Sequence, residues 1–228
     1  MDNTIQQWNE AARLYSESEE TNPFSRFCRE FISDHFSHIE GQTVLDAGCG
    51  NGEYMDILAK NGGIVSGCDA SAEMLKLAQE RYPFYPYCLA DFREKLPYGD
   101  NTFDLVFCNL VLMDMDPIDN AITEFYRVTK VTGHFFFSIV HPAFFLPDWE
   151  RDEQGVGLYK KVARYITPHA EPQALWSPTT HYHRPVSFYL NQMASTGFIL
   201  NEMFEPYVYR HPQIRDIPLY LFAEFRKQ

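Results

Sequence analysis

A doubly wound α/β fold is predicted for this chain by three features of its sequence. The first is a short apolar run that passes into a glycine turn and then a helix start, over residues 42–60 (QTVLDAGCGNGEYMDILAK). The second is the recurrence of that order, with apolar runs at 63–68, 87–90, 103–108 and 134–140 and helical periods at 72–82 and 117–130. The third is an acidic residue at the end of successive strands: Asp46, Asp69 and Asp91. Strands alternating with helices form a parallel sheet covered on both faces, with its ligand at the carboxyl ends of the strands.

The elements follow in chain order. Residues 4–18 read as an amphipathic helix, because Ile5, Trp8, Ala11, Ala12 and Tyr15 share one face. Asn22-Pro23 breaks the chain, and residues 24–38 form a second helix with Phe27, Phe31, Ile32, Phe36 and Ile39 on its apolar side. The strand at 42–45 enters three alternate glycines, Gly48, Gly50 and Gly52, which admit positive φ and close backbone approach to a ligand. Residues 53–60 resume a helical spacing. The second strand, 63–68, ends in Asp69, and Ser71 caps the helix 72–82. Pro83 and Pro86 set the loop before the third strand, 87–90. The fourth strand is 103–108. Asp116-Pro117 reads as the N-cap and first position of a helix over 117–130. Gly133 lies in the turn before a fifth strand at 134–140, which is apolar on both faces and so belongs mid-sheet. Residues 142–184 are rich in proline and aromatics and too long for a plain connection, so they read as a functional cap. Within them a strand at 158–166 pairs with 174–182. A helix at 187–196 ends at Gly197, and strands at 198–205 and 219–226 close the chain.

The charges around the glycine turn select the ligand. A dinucleotide seats its pyrophosphate on the helix N-terminus of a G-x-G-x-x-G turn. Here the pattern is G-x-G-x-G, with Glu53 in the third glycine's place and Asp46 just before the turn. Two carboxylates oppose an anion and suit a cation. Asp69 stands where a ribose diol is bound. A ligand with a ribose and a positive charge is implied, and S-adenosylmethionine has both.

The runs VLDAGCGNG (44–52), GCDASAEML (67–75) and LADFREKLPYGDNTFDLVFCNLVL (89–112) stand in order and register. They resemble those of class I S-adenosylmethionine-dependent methyltransferases over residues 40–140. IVHP (139–142) and YHRPVSFYLNQMASTGF (182–198) also look like a small-molecule subgroup. The resemblance implies a Rossmann-like, seven-stranded sheet ordered 3-2-1-4-5-7-6 with one antiparallel strand. It makes residues 1–228 a single domain with N-terminal lid helices at 4–38 and a cap insertion at 142–184. It places the cofactor on Asp46, Ala47, Gly48, Cys49, Gly50, Asp69, Ala70, Met74, Asp91, Phe92, Asn109 and Leu110. Asp91 would bond the adenine amino group. Tyr15 would close over the methionine end, unless it only packs its helix down. Met74 serves equally as core. Enzymes that methylate exocyclic amines of bases carry N-P-P-Y or D-P-P-Y after the fourth strand. This chain has Asn109-Leu110-Val111-Leu112, which argues against that activity.

Composition narrows the partners. There are 31 acidic and 19 basic residues, a formal charge of −12, with no Lys/Arg run. That surface repels nucleic acid and anionic membrane. Five scattered cysteines without a C-x-x-C imply free thiols in a reducing cytoplasm, with Cys49 either core or reactive. No His/Cys/Asp cluster has metal-ligand spacing, and no apolar run suits a membrane span. A monomer or homodimer is expected.

Methyl transfer expels a neutral sulfide, so alignment of the reactants supplies most of the rate. A base is required only where the acceptor must lose a proton. His141, at the end of the fifth strand, is the candidate catalytic base. His141, Tyr182 and Arg184 are the candidate acceptor contacts, Arg184 for an anion, with His181 and His183 nearby. Each could instead be structural. The sequence points to methyl transfer to a small molecule at O, N or C. RNA or protein methylation, or binding of S-adenosylmethionine without catalysis, are the alternatives.

Overall fold

The computed structural model describes residues 3–145, 149–154, 157–160, 162–206 and 217–228. Two helices, α1 (Thr4–Glu19) and α2 (Pro23–His35), precede an alternating core. The core runs β1 (Thr43–Ala47), α3 (Glu53–Lys60), β2 (Ile64–Asp69), α4 (Ala72–Arg81), β3 (Tyr87–Leu89), β4 (Phe103–Asn109), α5 (Asp119–Val128) and β5 (Thr129–Val140). Two short hairpins follow, β6 (Trp149–Arg151) with β7 (Gly157–Lys160) and β8 (His169–Gln173) with β9 (Thr179–His183). The chain closes with α6 (Val186–Thr196), β10 (Phe198–Phe204) and β11 (Tyr220–Lys227).

Seven strands form one sheet in the order β10-β11-β5-β4-β1-β2-β3. Strands β1 to β5 are parallel, and β11 is antiparallel to both of its neighbours. With the last two strands counted as sixth and seventh, this is the expected 3-2-1-4-5-7-6 order with one antiparallel strand. The strand sequences explain the layers, because successive side chains face opposite ways. Leu45, Val106, Cys108, Phe135 and Phe137 pack under α5 and α6. Val44, Phe107 and Phe136 pack on the other face with Ile32, Met55 and Leu58 from α2 and α3. Phe107 and Phe136 lie parallel at 5.4 Å between ring centres. Sheet centres buried on both faces read as continuous apolar runs, as β4 and β5 do.

The structure corrects four boundaries. Helix α5 begins at Asp119, not at Pro117, and the Asp116 carboxylate accepts a hydrogen bond from Arg184 instead of capping it. Strand β5 begins at Thr129. Its irregular start contains Thr132 at φ +67° and Gly133, where a Cβ would come within 2.9 Å of the carbonyls of Asp104 and Lys130. The strand expected at 158–166 is divided: Gly157–Lys160 pairs with Trp149–Arg151, and His169–Gln173 pairs with Thr179–His183. The second hairpin turns through residues 174–178, where Ser177-Pro178 supplies the turn chemistry that ends a strand. Helix α2 starts one residue earlier than expected, at Pro23, and Asn22 accepts the Phe24 N–H at 2.9 Å.

A buried ionic node joins the sheet to α2. Glu224 of β11 accepts from His134 of β5 at 2.8 Å, His35 of α2 at 3.1 Å and Asn201 of β10 at 2.8 Å. Burial pushes the Glu224 carboxyl up, but the His134 and His35 hydrogen bonds outweigh it and hold it at about 2. A carboxyl depressed in the folded state stabilises the fold above its ordinary pKa and loses that contribution as pH falls through the folded value. The node therefore contributes on the order of 3 kcal/mol at pH 6, lost between about pH 4.5 and about 2. His134 is raised by the same bond, so its own share is lost in the opposite direction, as pH rises. Urea unfolding of Glu224→Gln is expected to show a deficit at pH 6 that vanishes near pH 2. A deficit independent of pH would mean packing, not charge, is lost.

Candidate active-site cleft

The carboxyl ends of the parallel strands open into a cleft of about 780 Å³, including its mouth. Gly48 and Gly50 form its floor, at φ +85° and +51°. A Cβ on Gly50 would meet only the Met74 sulfur, at 4.0 Å, so this face of the turn is open to a ligand. Asp69 and Ala70 follow β2, Asp91 and Phe92 follow β3, and Asn109 and Leu110 end β4; all six line the cleft. Met74 rises from the first turn of α4, where Ser71 caps the helix by accepting the Met74 N–H at 3.2 Å.

Helix α1 covers this opening. Its Asn9 accepts from the Ser71 hydroxyl at 2.8 Å, and its Ser16 hydroxyl accepts from the Asn51 amide at 3.0 Å. Ile5, Trp8 and Tyr15 line the cleft from above. Trp176, from the turn of the β8–β9 hairpin, lies 5.0 Å from Tyr15 and 6.1 Å from Trp8. Helix and cap therefore meet in an aromatic cluster over the site, and Tyr15 both packs and lines the cleft.

The electrostatics disfavour an anion at the glycine turn. The Asp69 carboxylate accepts from the Gly50 N–H at 2.9 Å and the Ser71 N–H at 2.8 Å, so a backbone donor that could hold a phosphate is already taken. Burial still pushes Asp69 up against those bonds and that of Ala70. Asp46 is 1% exposed, and its Oδ2 has no hydrogen-bond partner. Burial, then the Asp69 charge, raises it well above the carboxylate range. Among the described residues, there is thus no side-chain donor for an anion beneath the turn. The acids lining the cleft are Asp69, Asp91 and Asp114. Its lining arginine, Arg93, is bonded to Asp91 through Nε at 2.9 Å and Nη2 at 2.7 Å, which holds Asp91 below the usual range.

Three expected cofactor residues stand back from the cleft lining: Asp46, Ala47 and Cys49. Ala47 is core. The Cys49 sulfur lies where a Cβ on Gly67 would meet it at 2.9 Å, so it packs towards β2, and burial pushes its thiol up. That is the environment of an inert thiol. Glu53 is turned away to Arg29, at 3.3 Å, and leaves Asp46 as the acid under the turn. The Asn109 side-chain oxygen accepts from the Ser138 hydroxyl at 2.6 Å, which fixes the end of β4 at the cleft. Leu110 takes φ +57° there, a conformation an L-residue adopts at a cost of about 1–2 kcal/mol, and its N–H is held by Ser138.

The acceptor-side expectations fare differently. His141, Tyr182 and Arg184 do come together, with His181 and His183, but around a separate and smaller pocket. His141 is buried; its Nε2 lies 2.7 Å from Glu205, and its Nδ1 accepts the Ala143 N–H at 3.1 Å. Both ring nitrogens are thus engaged away from the main cleft. Arg184 is buried and donates to the carbonyls of Leu112 at 3.1 Å and Met115 at 2.7 Å, and to Asp116 at 2.7 Å. It clamps the loop after β4, with both Nη2 donors committed to Met115 and Asp116. Asp114, Val111 and Met115 of that clamped loop line the cleft and were not anticipated. The sequence signal was their position just past the end of β4.

The profile of the methyltransferase domain family matches residues 45–137. A solved Listeria monocytogenes protein, classed among S-adenosylmethionine-dependent methyltransferases, superimposes with a TM-score of 0.71 at 29% identity, covering 83% of this chain and 92% of that one. Residues 45–137 are thus similar to the methyltransferase domain family, and the chain shares its fold with a solved methyltransferase. Malonyl-[acyl-carrier protein] O-methyltransferase of Erwinia billingiae is 39% identical over 50% of this chain and 45% of its own. Demethylmenaquinone methyltransferase of Streptomyces griseus is 35% identical over 55% and 52%. The chain spans about half the length of these curated relatives. Among the described residues, no helix is long and apolar enough to cross a membrane.

Proposed function

We propose that this protein moves a methyl group from S-adenosylmethionine to a small-molecule acceptor, leaving S-adenosylhomocysteine. The observation that carries the reading is the cleft at the strand ends, floored by Gly48 and Gly50 and lined by Asp69, Asp91 and Asp114. When bound, S-adenosylmethionine supplies a methyl carbon on a sulfonium that leaves as a neutral thioether.

The chain's own residues do the rest by binding and alignment. Asp69 accepts the ribose hydroxyls, for which its carboxylate retains lone pairs beyond those given to Gly50 and Ser71. Phe92 and Met74 supply apolar faces for the base, and Asp91 its polar edge. The acidic turn with Asp46 favours the amino-acid end of the ligand. Tyr15 and Trp8 cover it and keep water out. The backbone of Asn109 and Leu110 faces the sulfur. The relatives' names concern an acyl-carrier-bound malonyl group and demethylmenaquinone, so small acceptors fit better than nucleic acid. The formal charge of −12 points the same way.

Calorimetric titration with S-adenosylhomocysteine tests the cofactor half. Asp69→Ala is expected to weaken binding by about 1.5–3 kcal/mol, the range for hydrogen bonds to a charged group. Unchanged affinity would put the ribose elsewhere. Saturating S-adenosylhomocysteine should raise the melting temperature and NAD should not. Release of labelled methyl to any member of a metabolite pool separates transfer from binding without catalysis.

A further inference from the structure

Asp114 ends the short helical turn Leu112–Asp114 after β4 and lines the main cleft. It is 7% exposed, and its Oδ1 has no hydrogen-bond partner. The Nε2 of His181, on β9, stands 3.1 Å from that oxygen but off the line a hydrogen bond needs. His181 is buried as well and lines the second cavity, so the pair sits in the wall between the two. Burial lowers the His181 imidazole to about 4 against the opposing charge of Glu171, which leaves the ring neutral at pH 7. Burial also raises the Asp114 carboxyl well above its ordinary value. Tyr15 of α1 and Tyr189 of α6 face the pair, and burial raises both phenols, so neither is charged at pH 7. The Arg184 guanidinium is spent on Leu112, Met115 and Asp116.

An acid in such a place costs several kcal/mol in desolvation and is not neutralised by a cation. Nor can it swing into solvent, since Arg184 holds the carbonyls of Leu112 and Met115 on either side of it. A carboxyl rigidly presented to a ligand cleft, with a neutral imidazole 3.1 Å from it, has the arrangement of a general base.

We propose that Asp114 is the catalytic base of the cleft, with His181 as its positioning residue, and that the acceptor is a neutral molecule presenting an O–H or N–H group. This rests on the methyl-transfer reading above. A lone pair of the acceptor oxygen or nitrogen forms the bond to the methyl carbon. The carbon–sulfur bond breaks, and its electron pair leaves on sulfur. The acceptor's proton passes to Asp114 and reaches solvent after product leaves. His181 donates from Nε2 to the ionised carboxylate after a small ring rotation. A carboxylate acceptor would need no proton removed and would face Asp69, Asp91 and Asp114 together.

Two readouts test this. In ligand-free protein, infrared pH titration of wild type minus Asp114→Asn is expected to show a carboxyl ionising well above about 4, the ordinary value. His181→Phe should move that ionisation higher, because it removes a donor to the charged form. Labelled S-adenosylmethionine is then offered with a panel of neutral alcohols, phenols and primary amines beside matched carboxylic acids. Transfer to O–H or N–H is expected. Asp114→Asn should lower kcat/KM by about 10²–10⁴ while S-adenosylhomocysteine affinity stays within about twofold. His181→Phe should shift the rising limb of the pH profile upward. A carboxyl ionising near 4, full transfer by Asp114→Asn, or transfer to carboxylic acids alone overturns the proposal. No transfer by wild type that binds S-adenosylhomocysteine removes the transfer reading and this inference with it. Absence of binding removes the cofactor assignment itself.

Discussion

Arg184→Met is expected to lower the stability of the folded chain by about 3–5 kcal/mol and to loosen the acceptor side of the cleft. Methionine keeps much of the apolar stem but none of the donors. The buried guanidinium bonds the Leu112 and Met115 carbonyls, and a carbonyl left without its partner costs about 1–3 kcal/mol. The cation also lies 5.6 Å from the Tyr182 ring and 5.4 Å from Phe188, contacts worth about 0.5–2 kcal/mol each. The Asp116 bond adds little, because that carboxylate is 56% exposed. Arg184→Lys should recover only part, since an ammonium cannot span the two carbonyls as a planar fork does. Urea unfolding measures the loss. A deficit under about 1 kcal/mol would show that the loop is held by other contacts.

Gly48→Ala is expected to cost about 2–5 kcal/mol of stability and to weaken S-adenosylhomocysteine binding by on the order of 100-fold, about 2.7 kcal/mol. Gly48 sits at φ +85°, and a Cβ there would come within 2.3 Å of Val111 Cγ2. The backbone strain accounts for about 1–2 kcal/mol and the overpacking for about 1–3 kcal/mol. Valine is stiff at χ1, so relief must come from moving the loop that carries Val111 and Asp114. The double variant Gly48→Ala with Val111→Ala removes the clash and leaves the strain. Its stability should recover by the overpacking share, and a simple sum of the two single effects would contradict the contact.

The glycine floor and strand-end lining of the main cleft were legible because their determinants are local. Asp69 and Ser71 are near neighbours in sequence, Gly50 lies one strand–helix unit earlier, and the backbone N–H groups of Gly50 and Ser71 bond the carboxylate that the motif places there. Gly48, Met74, Phe92 and Leu110 likewise follow from strand ends and helix caps that short windows specify. The acceptor side was not legible in that way. His141 stands at a strand end as expected, yet its side chain turns to Glu205 and the Ala143 N–H, a choice made by a residue 64 positions away. Arg184 looked like an anion contact until its three acceptors emerged from a loop about 70 positions earlier. The cap hairpin shifted from its expected register because the Ser177-Pro178 turn outweighed apolar content on either side.

The alternation of strands and helices, the glycine turn and the acids at the ends of the first three strands were settled by the amino-acid sequence, since period-two and helical spacing and positive-φ glycines act within a few residues. Which carboxyl stands buried and unpaired in the cleft wall was decided by the folded chain alone. Asp114 becomes a buried, unpaired acid only when β9 brings His181 against it and Arg184 pins its turn, and desolvation of that kind depends on neighbours from distant parts of the sequence.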